Sequence, residues 1–201
     1  MNTKRKLAAI VFTDIVGFTK ITADDQSKAL DLINQQKKLL KPIVKNHNGQ
    51  WVKEIGDGLL LTFNTVMDAV NCSIKIQDIT KNIESLNLRI GIHQGEIIAQ
   101  ENDVLGDDVN IASRIEPFSA KGGIAISNKV NDAIIREKEF ETKYIGKPKL
   151  KGVSQSVEVF CIVSHQLPKT DLSKVSAKLE KEKSKYNIFT LTGGLFTLIG
   201  I

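Results

Sequence analysis

The chain has 201 residues, of which 41% are hydrophobic and 25% are charged, which is typical of one globular domain with residues left for a tail. Two cysteines are too few for a disulfide scaffold, and three singly scattered histidines give none of the ligand spacings that zinc sites use. Much of the net charge of +5 lies in residues 169–187, where six lysines accompany three acidic residues. The remainder is close to neutral, so we expect no nucleic-acid partner.

The apolar pattern predicts alternating strands and helices up to about residue 163. Residues 7–13 are predicted to form a buried strand ending at Asp14, and a helix is predicted from Ala23 to Asn46, kinked or ended early by Pro42. The further predicted elements are a hairpin of strands 51–55 and 58–63, a helix over 65–80, a second hairpin (LRIGI and EIIAQ, joined through His93-Gln94-Gly95), a helix over 107–118, a strand GIAIS, a short helix from Asn128, and strands at 148–153 and 157–163.

This order is β-α-β-β-α-β with additions at the C-terminal end. It favours an α+β fold with a ferredoxin-like core, in which helices pack on one face of a mainly antiparallel sheet. We assign residues 1–163 to this domain, because the lysine-rich stretch 164–187 that follows is polar and is typical of a linker or an exposed helix.

Residues 188–201 are uncharged and apolar, and two interpretations stay open for them. They are fewer than the roughly 20 residues with which a helix crosses a bilayer. One interpretation is that they begin the transmembrane helix of a longer protein, whose preceding lysines keep the domain on the cytoplasmic side. The domain would then be cytoplasmic and membrane-anchored at its C-terminal end. The other interpretation is an amphiphilic dimer contact or a disordered end.

Two aspartates are predicted to lie at one edge of the sheet. Asp14 ends the first strand, Asp57 lies in the turn of the first hairpin, and the two meet if these strands pair. Neighbouring carboxylates repel each other unless a cation separates them or one is protonated. Such hard oxygen ligands suit Mg²⁺ or Mn²⁺, and two such ions can hold a phosphoryl group. The alternative is that each aspartate is a structural turn residue.

A polar pair is predicted on the helix over residues 107–118. Asn110 and Arg114 are four residues apart, so they lie one above the other beside the apolar stripe. An amide and a guanidinium so stacked can hold a ribose and a phosphoryl oxygen. The alternative is a solvated helix face on which Arg114 pairs with Glu116 or Asp107.

Four motifs, in this order and at these intervals, point to a known family: VFTDIVGFT, KEIGDGLLLTF, LRIGIHQGE and DVLGDDVNIASRIE. Over about residues 6–163 the chain resembles the class III adenylate/guanylate cyclase catalytic domain. The resemblance implies metal binding by Asp14, Asp57 and the backbone of Ile15, purine contact by Lys53 and Asp103, ribose positioning by Asn110, transition-state stabilisation by Arg114, and triphosphate binding by Lys151, near Lys147 and Lys149, and by the Gly17, Phe18 and Thr19 loop.

The resemblance also implies a homodimer with two shared active sites and two Mg²⁺ or Mn²⁺ ions. A Lys53 donor and an Asp103 acceptor complement the N1 and N6 positions of adenine, whereas guanine presents the reverse pattern. Guanylate cyclases of the family typically carry Glu and Cys at these positions. We therefore predict an adenylate cyclase that converts ATP to 3′,5′-cyclic AMP and pyrophosphate. The alternatives are a guanylate cyclase and a catalytically silent nucleotide-binding or regulatory dimerisation domain.

Overall fold

The computed structural model describes residues 4–101 and 103–175. A single sheet carries the helices of this part of the chain. In chain order the elements are β1 (Lys4–Ile15), α1 (Phe18–Asp24), α2 (Gln26–Asn46), β2 (Gln50–Ile55), β3 (Gly58–Phe63), α3 (Val66–Thr80), β4 (Leu88–Ala99), β5 (Val104–Leu105), α4 (Asp107–Ile115), a 3-10 turn (Glu116–Phe118), β6 (Ile124–Ser127), α5 (Asn128–Ile134), β7 (Thr142–Gly146), β8 (Val159–Ile162) and a second 3-10 turn (Leu172–Lys174).

The strands lie in the order β2-β3-β1-β4-β6-β8-β7, and β5 pairs with β4. Only β4 and β6 run parallel among these pairs, and the others are antiparallel. The first four strands, with α2 and α3 in the connections, form the ferredoxin-like core. The predicted α+β class, the βαββαβ core with C-terminal additions and the mainly antiparallel sheet are therefore confirmed.

The helices pack on both faces of the sheet, which corrects the expectation of a single covered face. Ala9 and Val11 of β1 belong to the main apolar cluster with residues of α2, α3 and α5. The alternate residues Ala8 and Ile10 pack with Ala112 of α4 on the other face. Because β1 is apolar on both sides, it can be buried between two layers of helices.

The single helix predicted from residue 23 to residue 46 begins later than expected. Residues 18–24 form α1, and Asp25, in extended conformation at φ −156°, separates it from α2. The Asp25 carboxylate accepts a hydrogen bond of 3.0 Å from the amide of Lys28 and so caps α2. Pro42 lies inside α2 without ending it, which corrects that expectation. Buried Leu40 and Ile43, on either side of Pro42, hold the helix against the sheet.

The predicted second hairpin is wrong, because residues 88–99 form one continuous strand. Strand β4 pairs with β1 along its whole length, from Leu88 opposite Ile15 to Ala99 opposite Lys4. Gly95 lies within this strand and not in a turn. A glycine is needed there because a Cβ would lie 2.0 Å from the side chain of Asp108. The strand predicted at 148–153 is also wrong, because the edge strand that pairs with β8 is β7, at residues 142–146.

Between residues 4 and 175, apart from residue 102, no helix has both the length and the apolar character that crossing a bilayer requires. The stretch 188–201, for which a transmembrane start was predicted, lies outside the described residues, as do residues 176–187, the second half of the lysine-rich stretch.

Candidate active site

The two predicted metal-binding aspartates lie together at one end of the central strands. Because β1 pairs with β3, with Thr13 opposite Leu59, the turn that contains Asp57 lies beside the end of β1 that carries Asp14. The amide of Ile15 donates a 2.8 Å hydrogen bond to a carboxylate oxygen of Asp57. The side-chain amide of Gln36, on α2, stabilises the turn by donating a 3.0 Å hydrogen bond to the backbone carbonyl of Asp57.

The environment of Asp57 opposes its negative charge. Partial burial raises its pKa, the neighbouring carboxylate of Asp14 raises it further, and the hydrogen bond from the Ile15 amide opposes both effects. A cation between the two carboxylates would relieve both the repulsion and the desolvation. Among residues 4–101 and 103–175 there is no cluster of three or more His, Cys, Asp or Glu side chains that could hold a metal. The two aspartates supply hard oxygen ligands of the kind that a divalent ion takes, and backbone and substrate oxygens could complete its shell.

A third charged residue at this place, Arg89, was not singled out by the sequence analysis. It lies on β4 directly opposite Asp14, and its guanidinium donates to the Asp14 carboxylate. Its Nε also forms an ion pair with Glu116, 2.7 Å from a carboxylate oxygen of that residue. Burial raises the pKa of Glu116 to about 7, although Arg89 opposes this rise. The only signal in the sequence was an arginine at the start of the LRIGI motif.

A cleft of about 400 Å³ lies between the β2–β3 hairpin and α4. Lys53 and Asn110 contribute polar groups to it, and the ammonium of Lys53 forms a 2.6 Å ion pair with Asp103. The hydrogen bond from Lys53 lowers the pKa of Asp103, so the pair is held charged. The other residues that line the cleft are mostly apolar: Phe12, Ile55, Leu60, Val104, Leu105, Gly106, Val109 and Ser113. Apolar walls with few polar groups suit a flat aromatic base.

Helix α4 carries Asn110 and is tied to β4 at its first turn. The buried ring of His93 lies 2.9 Å from one carboxylate oxygen of Asp108, and the amide of Glu96 donates to the other oxygen at 2.8 Å. The ammonium of Lys129 lies 3.6 Å from the same carboxylate. These contacts fix the N-terminal end of α4 against the sheet.

The remaining predicted residues are arranged around this helix and the β1–α1 loop. The guanidinium of Arg114 donates a 3.4 Å hydrogen bond to the carbonyl of Lys151. It does not form the predicted ion pair with Glu116, whose carboxylate pairs with Arg89. Gly17 has φ 80°, which allows the tight entry into α1. Thr19 is exposed, and Phe18 packs against the main apolar cluster.

The structure thus brings together two sets of predicted residues. Asp14 and Asp57 meet at the end of β1 with Arg89, whereas Lys53, Asp103 and Asn110 meet at the cleft. Neither aspartate lines the cleft. A carboxylate pair and a base-sized cleft on one ferredoxin-like sheet are the features of a nucleotide-binding domain.

Residues 2–164 match the family model of the adenylate and guanylate cyclase catalytic domain. This chain therefore belongs to the adenylate and guanylate cyclase family.

Comparisons with individual proteins agree with this assignment. The chain is 30% identical to a protein of Rhizobium meliloti named putative adenylate cyclase 3, over 78% of this chain and 28% of that protein. The adenylate/guanylate cyclase/hydrolase of Silicibacter pomeroyi superposes with a TM-score of 0.74 at 29% identity, over 84% of this chain and all of that one. A guanylate cyclase domain of Catenaria anguillulae in complex with GTP gives 0.71 at 26% identity, over 80% of this chain and 98% of that one. The relatives therefore include both substrate types.

Proposed function

We propose that this chain is an adenylate cyclase, which forms 3′,5′-cyclic AMP and pyrophosphate from ATP at two active sites shared across a homodimer. The observation that carries the choice of substrate is the ion pair of Lys53 and Asp103 beside the cleft. One proton of the Lys53 ammonium is engaged with Asp103, and the others remain for N1 of adenine. Asp103 remains an acceptor for the adenine amino group.

Guanine fits this pair less well. If guanine lay in the same position as adenine, its N1–H donor would face the Lys53 ammonium and its O6 acceptor would face the Asp103 carboxylate, so both contacts would be mismatched. A buried polar contact that is mismatched costs about 1–3 kcal/mol, enough for a roughly 5- to 150-fold preference for ATP.

The proposed mechanism assigns each step to residues of this chain. Asp14, Asp57 and the backbone carbonyl of Ile15 would hold two Mg²⁺ or Mn²⁺ ions. When bound, these ions supply positive charge, which lowers the pKa of the ribose 3′-hydroxyl and offsets the negative charge of the triphosphate. Asn110 fixes the ribose so that the 3′-oxygen lies in line with the α-phosphorus.

Two cations and one loop act on the phosphates. Arg114 donates to the α-phosphoryl oxygens as charge develops there, because its planar fork can make several hydrogen bonds at once. Lys151 and the loop of Gly17, Phe18 and Thr19 bind the β- and γ-phosphates that leave as pyrophosphate. Asp14 is the candidate acceptor, within this chain, for the proton of the 3′-hydroxyl.

The separation of the two residue sets supports a shared site. In a two-fold dimer, the aspartates of one chain would meet the cleft and α4 of its partner, twice. Mixing two inactive variants tests this arrangement. Asp57→Ala and Arg114→Ala proteins, each inactive alone, are expected to regain activity when combined, because one intact site forms in each heterodimer. A mixture that stays inactive although heterodimers have formed would contradict the shared site.

Turnover with identified products tests the chemistry. The purified chain is given ATP or GTP with Mg²⁺ or Mn²⁺ over a range of protein concentrations, and products are identified by mass. Cyclic AMP whose specific activity rises with protein concentration is the expected result. Preferential formation of cyclic GMP would mean a guanylate cyclase. No cyclic product under any of these conditions would favour a catalytically silent regulatory domain.

We also propose that the domain is cytoplasmic and attached to a membrane through residues 188–201. The support is the apolar composition of this segment and the lysines that precede it. Sedimentation with membranes, compared with a chain that ends at residue 187, tests the proposal. Equal soluble fractions would contradict it.

A further inference from the structure

The segment that follows β8 packs back onto the domain. We name residues 165–175 the C-terminal strap. The family match ends at residue 164, so the strap lies beyond the catalytic domain that the family shares. It begins with His165 and Gln166 at φ 57° and 60°, which turn the chain sharply after the last strand.

Two contacts connect the strap to the end of α4. Thr170 is buried, with 8% of its surface exposed, and its hydroxyl donates a 2.9 Å hydrogen bond to the carbonyl of Phe118. Phe118 ends the 3-10 turn that continues α4. Val175 packs against the apolar cluster that contains Ile111, Ile115 and Phe118.

The strap also contacts the rest of the domain, because Leu167 packs against the main apolar cluster and the His165 ring lies 5.8 Å from the ring of Phe140. A cavity of about 440 Å³ lies between the strap and the last two strands, lined by residues of both: Tyr144, Ile145, Cys161, Lys169, Thr170, Asp171 and Leu172. The contacts of Thr170 and Val175 give the strap its specific attachment to the α4 end of the domain.

This attachment acts close to the proposed transition-state residue. The backbone carbonyls in the last turn of a helix have no hydrogen-bond donor within the helix. Thr170 supplies such a donor to the carbonyl of Phe118, which ends the 3-10 turn after α4 and lies four residues after Arg114. A misplacement of 1 Å at a catalytic group can lower a rate by about 10²-fold. We infer that Thr170 is a positioning residue for Arg114 and that the strap holds the C-terminal end of α4 in its catalytic position.

The inference rests on the proposed shared site, which gives it a directional test. In the heterodimer of Asp57→Ala and Arg114→Ala chains, only the Asp57→Ala chain contributes a working α4. Thr170→Val, which keeps the shape and removes the hydroxyl, is placed in one chain or the other. The activity is expected to fall roughly tenfold, with little change in KM, only when Thr170→Val is in the Asp57→Ala chain.

A matched control separates positioning from loss of folding. Thr142→Val removes a partly buried hydroxyl that donates a 2.7 Å hydrogen bond to the side chain of Asn131, away from α4. This variant is expected to leave the activity unchanged in either chain. Thr170→Ser, which keeps the donor, is expected to retain most of the activity. An equal loss from both placements of Thr170→Val, or no loss from either, overturns the inference.

A second measurement does not depend on catalysis. In the full-length chain, amides of residues 111–115 are expected to exchange with solvent roughly tenfold faster in Thr170→Val than in Thr142→Val. Unchanged exchange there overturns the inference. If the heterodimer is inactive before Thr170 is changed, the shared site is contradicted, and amide exchange alone then decides about the strap.

Discussion

The ammonium of Lys53 lies 2.6 Å from a carboxylate oxygen of Asp103, although 50 residues separate them in sequence. Both side chains are more than a third exposed, at 38% and 34%, so the pair contributes little to stability. Its position beside an apolar cleft makes it a recognition element.

Replacing the pair by Lys53→Glu and Asp103→Cys is expected to exchange the substrate preference. Glu accepts from N1 of guanine and loses the donor that adenine needs, so the ratio of kcat/KM for ATP over GTP should fall by about 10²-fold or more. The ratio is measured by mass detection of both cyclic products. Lys81→Glu with Asp78→Cys changes an exposed ion pair of similar length, 2.7 Å, and serves as the control. An unchanged ratio in the first variant would show that the pair does not read the base.

Asp57→Asn is expected to remove metal-dependent stabilisation without destabilising the metal-free protein. Burial and Asp14 raise the pKa of Asp57, so a neutral amide removes an unfavourable charge while its oxygen can still accept from Ile15. With Mn²⁺ and 3′-deoxy-ATP at about 100 times Kd, the native chain should gain about 2.7 kcal/mol, and the variant far less. Thermal unfolding with and without ligand measures both effects.

The control for this experiment is Asp132→Asn, at an exposed position of α5. It should show the full ligand-induced rise in Tm. If Asp57→Asn showed the same ligand-induced rise in Tm, Asp57 would not be a metal ligand.

The buried ring of His93 is expected to make stability depend on pH. Burial lowers its pKa below 6.5, although Asp108 opposes the shift. At this residue the unfolded chain therefore takes up a proton before the folded one does, so His93 makes the free energy of unfolding fall as the pH drops below about 6.5, whereas Glu116, with its raised pKa, has the opposite effect in this range. His93→Gln should lose this slope, measured by urea unfolding between pH 7.5 and 5. The exposed His165→Gln should retain it, and a slope unchanged in both variants would contradict the assignment.

Gly91→Ala is expected to displace the C-terminal end of α4. A Cβ at this place in β4 would lie 2.3 Å from the backbone nitrogen of Glu116, and a backbone atom cannot move away without its helix. The expected cost is about 1–3 kcal/mol in unfolding free energy, with a larger fractional loss of kcat. Gly123→Ala is the control, since its nearest contact is 3.1 Å. Equal effects of both variants on kcat would contradict a specific role of the β4–α4 contact.

The sequence predicted most local elements correctly where turn signals were strong. The β2–β3 hairpin, α3 and the stop of α2 near Asn48, which has φ 57°, follow from their own residues. The continuous β4 did not follow, because His93-Gln94-Gly95 has the composition of a turn. Its extended form depends on pairing with all twelve residues of β1, which no local pattern reveals.

The same division holds for the candidate site. Asp14, Asp57, Lys53, Asp103, Asn110 and Arg114 were singled out because their motifs carry recognisable spacing, and the structure places all of them except Arg114 in two groups. Arg89 and Glu116 were missed, since their contacts with the carboxylate pair depend on strand register and on how α4 crosses the sheet.

By itself, therefore, the sequence determined the family, the α+β class and the residue types of the chemistry, because these depend on local motifs and periodicity. Only the tertiary structure decided that α4 covers the second face of the sheet, that Arg89 neutralises Asp14, and that Thr170 reaches Phe118 across 52 residues. These features depend on long-range packing, in which residues far apart in sequence become neighbours only when strands and helices have been placed together.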